Sequence, residues 1–391
     1  MRYQLRDYQK QASDAAVKAF QSKKKSNGLI IVSTGGGKSL IIADIASRLD
    51  SPLLVFQPSK EILQQNFAKL QSYGIIDCGC YSASVGCKDI NRITFATIGS
   101  VMNHMDDFSH FKYVLIDEAH VVNSKGGMYE KFINLQDRQV VGLTATPYRL
   151  NSYMGGSMLK FLTRTRPRIF SEVLYVCQTS DLLAKGYLAD LKYYDLTAIN
   201  IENVRSNSTG ADYDEKSLKL EYERSGFFDK LTATTLRVLK PKSGIPRKGV
   251  LVFTRFVDEA EDLVRKLRSK NIPADIVTGN TPKAEREWIL EKFKGGELKV
   301  IVNAQVLTTG FDYPELDTII MARPTKSLAL YYQCVGRAIR PFKGKDGWII
   351  DLCGNYKRFG KVSDLKIDVE KPHSQLWCVK SNGKILTNRT F

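Results

Sequence analysis

Leu29-Ile30-Ile31-Val32-Ser33-Thr34-Gly35-Gly36-Gly37-Lys38-Ser39 is the stretch on which the fold turns. An apolar, β-branched run meets three glycines, a lysine and a hydroxyl, and an amphipathic segment follows as far as Leu49. The run reads as a strand, Thr34 to Gly37 as a loop, and Lys38-Ser39 as the opening of a helix. Glycines let backbone N–H groups approach a phosphate, and the helix N-terminus adds the positive end of its dipole. In that geometry Lys38 would pair with the β- and γ-phosphates and Ser39 would ligate Mg2+. The strict G-x-x-x-x-G-K-[ST] form is not met, because its first glycine position is Val32.

The grammar around this stretch repeats. Strands are expected at Leu29–Ser33, Leu53–Gln57, Ile93–Thr97, Tyr113–Asp117 and Val140–Leu143, with helices at Tyr8–Phe20, Ser39–Leu49 and Lys60–Tyr73 between them. Strand and helix in alternation imply a parallel sheet with crossover helices. The pattern returns with strands at Gly249–Phe253, Ala274–Val277, Lys299–Val302, Thr318–Met321 and Trp348–Leu352. Helical segments at Val257–Lys270, Lys283–Phe293 and Leu328–Val335 separate them. The fold class is therefore α/β, with two similar modules joined by an irregular middle. Within that middle, Arg149–Phe170 carries five basic and no acidic residues, which suits a nucleic-acid contact and a solvated basic connector equally. Ile201–Lys230 reads as a polar insertion with a helix or two, and the tail after about Val362 shows no period.

Tyr113-Val114-Leu115-Ile116 delivers Asp117-Glu118-Ala119-His120 to the C-terminal end of a strand, where open α/β sheets bind ligands. Asp117 would hold Mg2+, and Glu118 would position and deprotonate an attacking water. Near the N-terminus, Gln9 would read an adenine edge, with Arg6 or Tyr8 packing on the ring; a plain surface helix start fits equally. About 300 residues beyond the loop stands Gln333-Cys334-Val335-Gly336-Arg337-Ala338-Ile339-Arg340. Helical residues three apart share a face, so Arg337 and Arg340 can enter one cleft with Gln333 a turn earlier. One of the two arginines pairing only with a carboxylate is the competing reading.

At 391 residues the chain has room for two cores. Its net charge of +17 favours a polyanionic partner and salt-dependent binding. No apolar run approaches the roughly 20 residues that span a bilayer, so no membrane partner is expected. Met1–Arg6 shows no secretory pattern, and seven cysteines without disulfide-framework spacing fit a reducing, cytoplasmic compartment. Cys78, Cys80 and Cys87 lack a fourth ligand and zinc-ribbon spacing, and read as free thiols.

Taken in order, Gly35–Ser39, Asp117–His120, Thr144-Ala145-Thr146-Pro147 and Gln333–Arg340 resemble the motifs of superfamily 2 helicases, in a DEAH-type form. Gly142–Arg149, Gly186-Tyr187-Leu188 and Val306–Asp312 are most similar to RadD-like DNA-repair helicases, with the XPB type and restriction-enzyme motor subunits as neighbours. The cysteine-rich tail of RadD-like proteins has no counterpart before Phe391. The resemblance implies two tandem RecA-like domains of the P-loop class. We expect residues 1–155 as the first, 156–245 as connector and insertion, 246–365 as the second and 366–391 as a short basic tail.

The resemblance also implies roles. Thr34, Gly35, Gly36, Gly37, Lys38 and Ser39 would cradle ATP, while Gly310 would approach the nucleotide and Asp312 would bind the ribose or orient an arginine. Arg340 would contact the γ-phosphate with Arg337 as its neighbour. His120, Thr144 and Thr146 would couple hydrolysis to strand movement. Contacts to a nucleic-acid backbone map onto Gln57, Pro58, Ser59, Lys60, Thr97 and Gly99 in the first module. In the second they map onto Thr254, Arg255, Thr278, Gly279, Thr308 and Thr309. The expected activity is ATP- and Mg2+-dependent movement on DNA by a monomer, with other repair or recombination proteins as further partners. An RNA helicase and a nucleotide-gated clamp are the alternatives.

Overall fold

The computed structural model describes residues 4–24, 26–123, 125–153, 156–240, 247–304, 306–308, 311 and 313–388. Thr309, Gly310 and Asp312 lie outside the described residues.

Strands are numbered in chain order. β1 (Gly28–Val32), β2 (Leu53–Phe56), β3 (Cys78–Ser82), β4 (Cys87–Lys88), β5 (Ile93–Ala96), β6 (Tyr113–Ile116) and β7 (Gln139–Thr144) belong to one sheet. β8 (Tyr148–Tyr153) and β9 (Gly156–Phe161) form an antiparallel hairpin within the basic stretch. β10 (Glu172–Cys177) then returns to the first sheet, whose order is β10-β1-β7-β6-β2-β5-β3-β4. Among its pairs only β3–β4 is antiparallel. β1, β2, β5 and β7 are buried along their whole length, as parallel strands covered by helices on both faces should be.

The second sheet takes β11 (Leu191–Asp195), β12 (Val250–Thr254), β13 (Ala274–Val277), β14 (Val300–Ala304), β15 (Thr318–Ala322) and β16 (Gly347–Asp351). Its order is β11-β16-β15-β12-β14-β13, and every pair is parallel. Alternate residues go to opposite faces of a strand. Leu251, Phe253, Ile301, Ile319 and Met321 accordingly join a core continuous with the first module. Val250, Val252, Val300, Val302 and Ile320 join a second core. That second core is completed by the insertion, whose helices Glu215–Ser225 and Phe227–Leu239 bury Leu218, Tyr222, Leu231 and Val238. The two helices meet at Gly226 in the left-handed region (φ 62°), and Tyr222 stacks on Phe227 at 4.1 Å between ring centroids.

Three sequence expectations change. The middle segment supplies an edge strand to each sheet, β10 beside β1 and β11 beside β16. Both strands are only half-buried, so neither shows the apolar run that marks the central strands. The tail forms a three-stranded antiparallel sheet of β17 (Leu365–Val369), β18 (Trp377–Ser381) and β19 (Lys384–Ile385). This small sheet reaches back to the first module. Gln178 exchanges two hydrogen bonds with Ile367 (2.7 and 3.1 Å), Asn388 donates its backbone N–H to the Leu159 carbonyl at 2.6 Å, and Arg164 pairs with Glu370. Finally, Cys80 and Cys87 are disulfide-bonded rather than free, because the β3–β4 turn brings their Cα atoms to 5.6 Å; Cys78 remains a buried thiol. Among the described residues no helix is long and apolar enough to cross a membrane, and no three or more His, Cys, Asp or Glu side chains gather so as to hold a metal ion.

Glu259 is buried at the third position of the Val257–Arg268 helix, where its Oε2 accepts from the backbone N–H groups of Arg255 (3.3 Å) and Phe256 (3.4 Å). Burial pushes its carboxyl up to about 8. A folded-state pKa above the unfolded one means that its stabilising contribution is fully present below the ordinary carboxylate range and is lost as pH rises to about 8. Glu259→Gln keeps an acceptor and removes the titration. The substitution is expected to raise the melting temperature by several degrees at alkaline pH and to flatten its fall between mildly acidic and alkaline buffers; an unchanged pH profile would refute this.

Candidate active site

β1 ends at Val32 and the chain turns through Gly35 (φ 81°) and Gly37 (φ 76°), both in the left-handed region. A Cβ at Gly37 would stand 2.5 Å from Gln9 Nε2, so a larger residue would also push the Gln9 amide aside. Gly37 caps the Lys38–Arg48 helix, and Lys38 Nζ lies 3.0 Å from Glu118 Oε1. Ser39 donates its hydroxyl to Asn66 Oδ1 at 2.6 Å, and Asn66 Nδ2 donates to Asp117 Oδ2 at 3.0 Å. One amide thus links the hydroxyl and the carboxylate that were read as Mg2+ ligands. Gln57 Oε1 accepts from the same Asn66 Nδ2 at 3.0 Å.

β6 carries Asp117 and Glu118 to the sheet's C-terminal edge. Glu118 adopts φ 49° and ψ 50°, a left-handed conformation that costs a non-glycine residue about 1–2 kcal/mol. Burial lowers the basicity of Lys38, but Glu118 and then Asp117 more than reverse this, so its ammonium is firmly retained. Burial also opposes ionisation of Glu118; Lys38 and His120 overcome it and hold the carboxyl well below its usual range. Asp117 moves the other way, raised by burial and by the charge of Glu118. The adjacent carboxyls are therefore driven apart in acidity.

His120 joins this pair to both modules. Its Nδ1 lies 3.3 Å from Glu118 Oε2 and 3.1 Å from Thr144 Oγ1, while Nε2 lies 2.9 Å from Gln333 Nε2. An amide nitrogen only donates, so Nε2 accepts and the ring proton sits on Nδ1. Thr144 Oγ1 in turn accepts from the Thr146 backbone at 3.0 Å. A second cross-cleft contact comes from Tyr332, whose hydroxyl sits 2.7 Å from Ser33 Oγ and 2.9 Å from Thr179 Oγ1. Gly336 allows the close approach, since a Cβ there would meet Thr34 Cγ2 at 3.1 Å.

A cavity of about 440 Å³ lies between the modules. Lys38, Ser39, Asp117 and Glu118 line one wall, and Gln333, Arg337 and Arg340 line the other. The two arginines differ. Arg337 donates to the carbonyls of Phe311 (2.7 Å) and Thr308 (2.8 Å), so it braces the loop that was expected to face the nucleotide. Arg340 lies against the phosphate loop, its Cγ 3.6 Å from where a Cβ on Gly35 would stand. Lys345 steadies it by donating to its carbonyl at 2.8 Å. Gln9 is engaged with the loop itself: its Nε2 donates to the Gly36 carbonyl at 3.1 Å, beside the Tyr8 hydroxyl at 2.8 Å. Arg6 stacks on Tyr187, 3.9 Å from the ring centroid.

The residues expected to touch nucleic acid are dispersed. Ser59 caps the Lys60–Ser72 helix, with Pro58 and Lys60 half-buried beside it, and borders a second cleft of about 380 Å³ that continues to Arg286 and Leu307. Thr97 bonds Ser82 and Ser100, while Gly99 and Gly279 are exposed. Three of these side chains are already buried or paired within the chain. Gln57 is buried behind Asn66, and the Thr254 hydroxyl is wholly buried against the Phe256 and Asn303 carbonyls. Arg255 pairs with Asp212 (3.1 Å) and Glu215 (3.2 Å). Thr278 bonds within its own turn to Thr281, and Thr308 offers its carbonyl to Arg337. Sequence reasoning missed Asn66, Tyr332 and Tyr187. Asn66 and Tyr332 had a faint signal, as polar groups at helix positions that point to the sheet edge.

Tyr332→Phe removes two buried cross-cleft hydrogen bonds and leaves the Ser33 and Thr179 hydroxyls facing carbon. Urea unfolding is expected to show a loss of about 1–3 kcal/mol, and a stability equal to the parent's would exclude this latch.

Residues 2–149 match the family described as "Type III restriction enzyme, res subunit", and residues 233–341 match the "Helicase conserved C-terminal domain". The chain is 27% identical over 373 residues to the ATP-dependent helicase IRC3 of Saccharomyces cerevisiae, covering 90% of this chain and 51% of that protein. It is 26% identical to a 51.5 kDa protein of a Lactococcus phage, covering 83% and 65% respectively. It is 25% identical to the DNA 3'-5' translocase XPB2 of Sulfurisphaera tokodaii, covering 89% and 81%. The chain thus spans about half to two thirds of the length of the first two relatives. In fold it is similar to the DNA-bound restriction-modification enzyme LlaBIII, with a TM-score of 0.66 at 19% identity over 89% of this chain and 28% of that one. It is also similar to Saccharomyces cerevisiae Dbp5 bound to RNA and ADP BeF3, with a TM-score of 0.59 at 17% identity over 90% and 87%. Two tandem RecA-like P-loop domains, matched in this order by the res-subunit and helicase C-terminal families, support a superfamily 2 helicase.

Proposed function

We propose that this chain is an ATP-dependent DNA translocase or helicase whose hydrolysis is switched by closure of the two RecA-like domains. The observation that carries this reading is the cavity wall shared between Lys38, Asp117 and Glu118 on one side and Gln333, Arg337 and Arg340 on the other. A site split this way is complete only when the domains meet.

The hard oxygen set of Ser39 and Asp117, already linked through Asn66, fits Mg2+. When bound, such an ion neutralises the phosphate charge that develops in phosphoryl transfer. The chain's own groups do the rest. Lys38 and the loop N–H groups hold the β- and γ-phosphates. Glu118, kept ionised by Lys38 and His120, accepts the proton of the attacking water. Arg340 supplies charge to the γ-phosphate from the second domain, a contribution worth about 10³–10⁵ in rate for a well-placed arginine, while Arg337 fixes the adjoining loop. His120 reports the state of Glu118 to Thr144 and Gln333.

The +17 charge and the DNA-acting relatives support a DNA backbone as the track. The finer assignment, a DEAH-type enzyme of the RadD-like repair group acting as a monomer with repair or recombination partners, rests on Asp117–His120, Gly142–Arg149 and Gly186–Leu188. The fold likeness to an RNA-bound protein keeps RNA as the second reading. ATPase stimulation by single-stranded DNA, duplex DNA and RNA of equal length separates the two. Triplex displacement separates a translocase from a passive clamp.

Lys38→Ala and Glu118→Gln are each expected to lower DNA-stimulated ATP turnover by at least about 10²-fold; substantial turnover in either would sink the assignment. Asp117 must be ionised to bind a cation, and its pKa is raised by burial and by Glu118. Nucleotide affinity in the presence of Mg2+ should therefore weaken as pH falls below neutral, with little change when Mg2+ is left out. Asn66→Ala should raise the Mg2+ concentration needed for half-maximal turnover about 10-fold or more, as losing a ligand-orienting partner does. Titrations with a fluorescent nucleotide at several pH values, with and without Mg2+, measure the first effect, and ATP turnover over a range of Mg2+ concentrations measures the second.

A further inference from the structure

The C-terminal edge of the second sheet carries a cationic cluster that the ATP site does not use. Arg255 follows β12, and Arg323 and Lys326 follow β15. Arg358 lies on the short Asn355–Phe359 helix after β16. All four lean on one loop of the insertion. Asp212 Oδ2 lies 3.1 Å from Arg255 and 4.0 Å from Arg323, and Glu215 lies 3.2 Å from Arg255. Lys326 donates to Ser206 Oγ and to the Gly210 carbonyl at 3.3 Å. Arg358 donates to the Tyr213 hydroxyl, and Lys326 sits 5.4 Å from the centre of the same ring.

Asp212 and Glu215 face four cations, and burial pushes the nearby Glu259 carboxyl up to about 8, which leaves an excess of positive charge. The mismatch is sharpest at Arg323. Its side chain is 5% exposed, its Nε has no hydrogen-bond partner among the described residues, and its ion-pair contact to Asp212 is the long 4.0 Å one. A buried guanidinium left so incompletely paired is costly. Burial and the neighbouring Arg358 also hold the Lys326 ammonium below its usual range, against the pull of Asp212. A tetrahedral anion with several acceptor oxygens would satisfy this group better than one planar carboxylate can.

We infer that Arg255, Arg323, Lys326 and Arg358 form a binding site for the phosphodiester backbone of a single strand, and that the Asp212 and Glu215 side chains occupy this site until nucleic acid displaces them. The inference rests on the DNA-translocase reading and adds to it a specific grip and a competitor built into the chain. In the unbound state the carboxylates replace solution anions as the partners of the cations. Displacing them on binding therefore releases fewer counterions than four free cations would, and the salt dependence of binding is muted.

The test measures affinity of the full chain for a fluorescent 20-nucleotide DNA strand by anisotropy over a range of salt. Asp212→Asn with Glu215→Gln is expected to tighten binding at least fivefold at about 0.1 M salt. It should also steepen the slope of log K against log salt by about 0.7 for each additional phosphate neutralised. Glu215→Gln alone is the safeguard against misfolding, because that side chain is 64% exposed; it should shift affinity the same way by about twofold. Asp212→Glu should keep the parent's slope. Adding Lys326→Ala and Arg358→Ala to the neutralised loop should reverse the gain. Binding by the parent that the neutralised loop leaves unchanged or weakens overturns this inference alone. Absence of binding to DNA or RNA in parent and variants overturns it together with the translocase reading.

Discussion

The ion pair between Lys38 and Glu118 is the contact from which the rest of the site is organised. It joins the first turn of a helix to the end of a parallel strand, both at the sheet edge where backbone groups of the phosphate loop are exposed. Both partners are largely withdrawn from water, so each charge depends on the other. In the proposed reaction a phosphate entering the loop would compete for Lys38 and release Glu118 toward His120 and the attacking water. The left-handed backbone at Glu118 belongs to the same constraint. Without it, Asp117 and Glu118 would point to opposite sides of the strand as successive strand residues do.

Because Glu118 is bonded to His120, and His120 to Gln333, the charge state of the nucleotide site is felt directly by the second domain. Proton position on the imidazole is set from both sides: Gln333 donates to Nε2, and Glu118 and Thr144 receive from Nδ1. Tyr332, one residue away on the same helix, reaches Ser33 at the base of the phosphate loop. Two neighbouring side chains of one helix therefore sense the two ends of the nucleotide cradle. Rearrangement at either end changes the hydrogen bonds that hold the domains together.

Much of this was legible in the chain because buried parallel strands are written as apolar runs and turns as glycines. Central strands such as Leu53–Phe56 and Thr318–Ala322 lie within a residue of where their β-branched runs place them. The half-exposed edges β10 and β11 were hidden, since Glu172, Lys192 and Asp195 break the apolar run that a buried strand would have. The sequence also grouped Lys38, Asp117, Glu118, Gln333 and Arg340, which do gather round one cavity. It left only a faint trace of Asn66, a polar group on a helix, because an amide bridging Ser39 and Asp117 is a meeting of three distant elements with no local spacing to betray it. Arg337 shows the limit from the other side. Its sequence position suits a phosphate contact, yet its guanidinium is committed to two carbonyls that only the folded loop brings within reach.

The small C-terminal sheet has a mechanical consequence. The chain passes from the first domain to the second once, through the segment after Cys177, and β17–β19 then bring it back onto Gln178 and the β8–β9 hairpin. Two bodies joined by a single tether can swing and twist in any direction. Joined at two places, they keep one compliant motion, rotation about the line through both attachments. Closure of the proposed nucleotide cleft would then resemble a door hung on two pins, each swing carrying the second domain along the same arc.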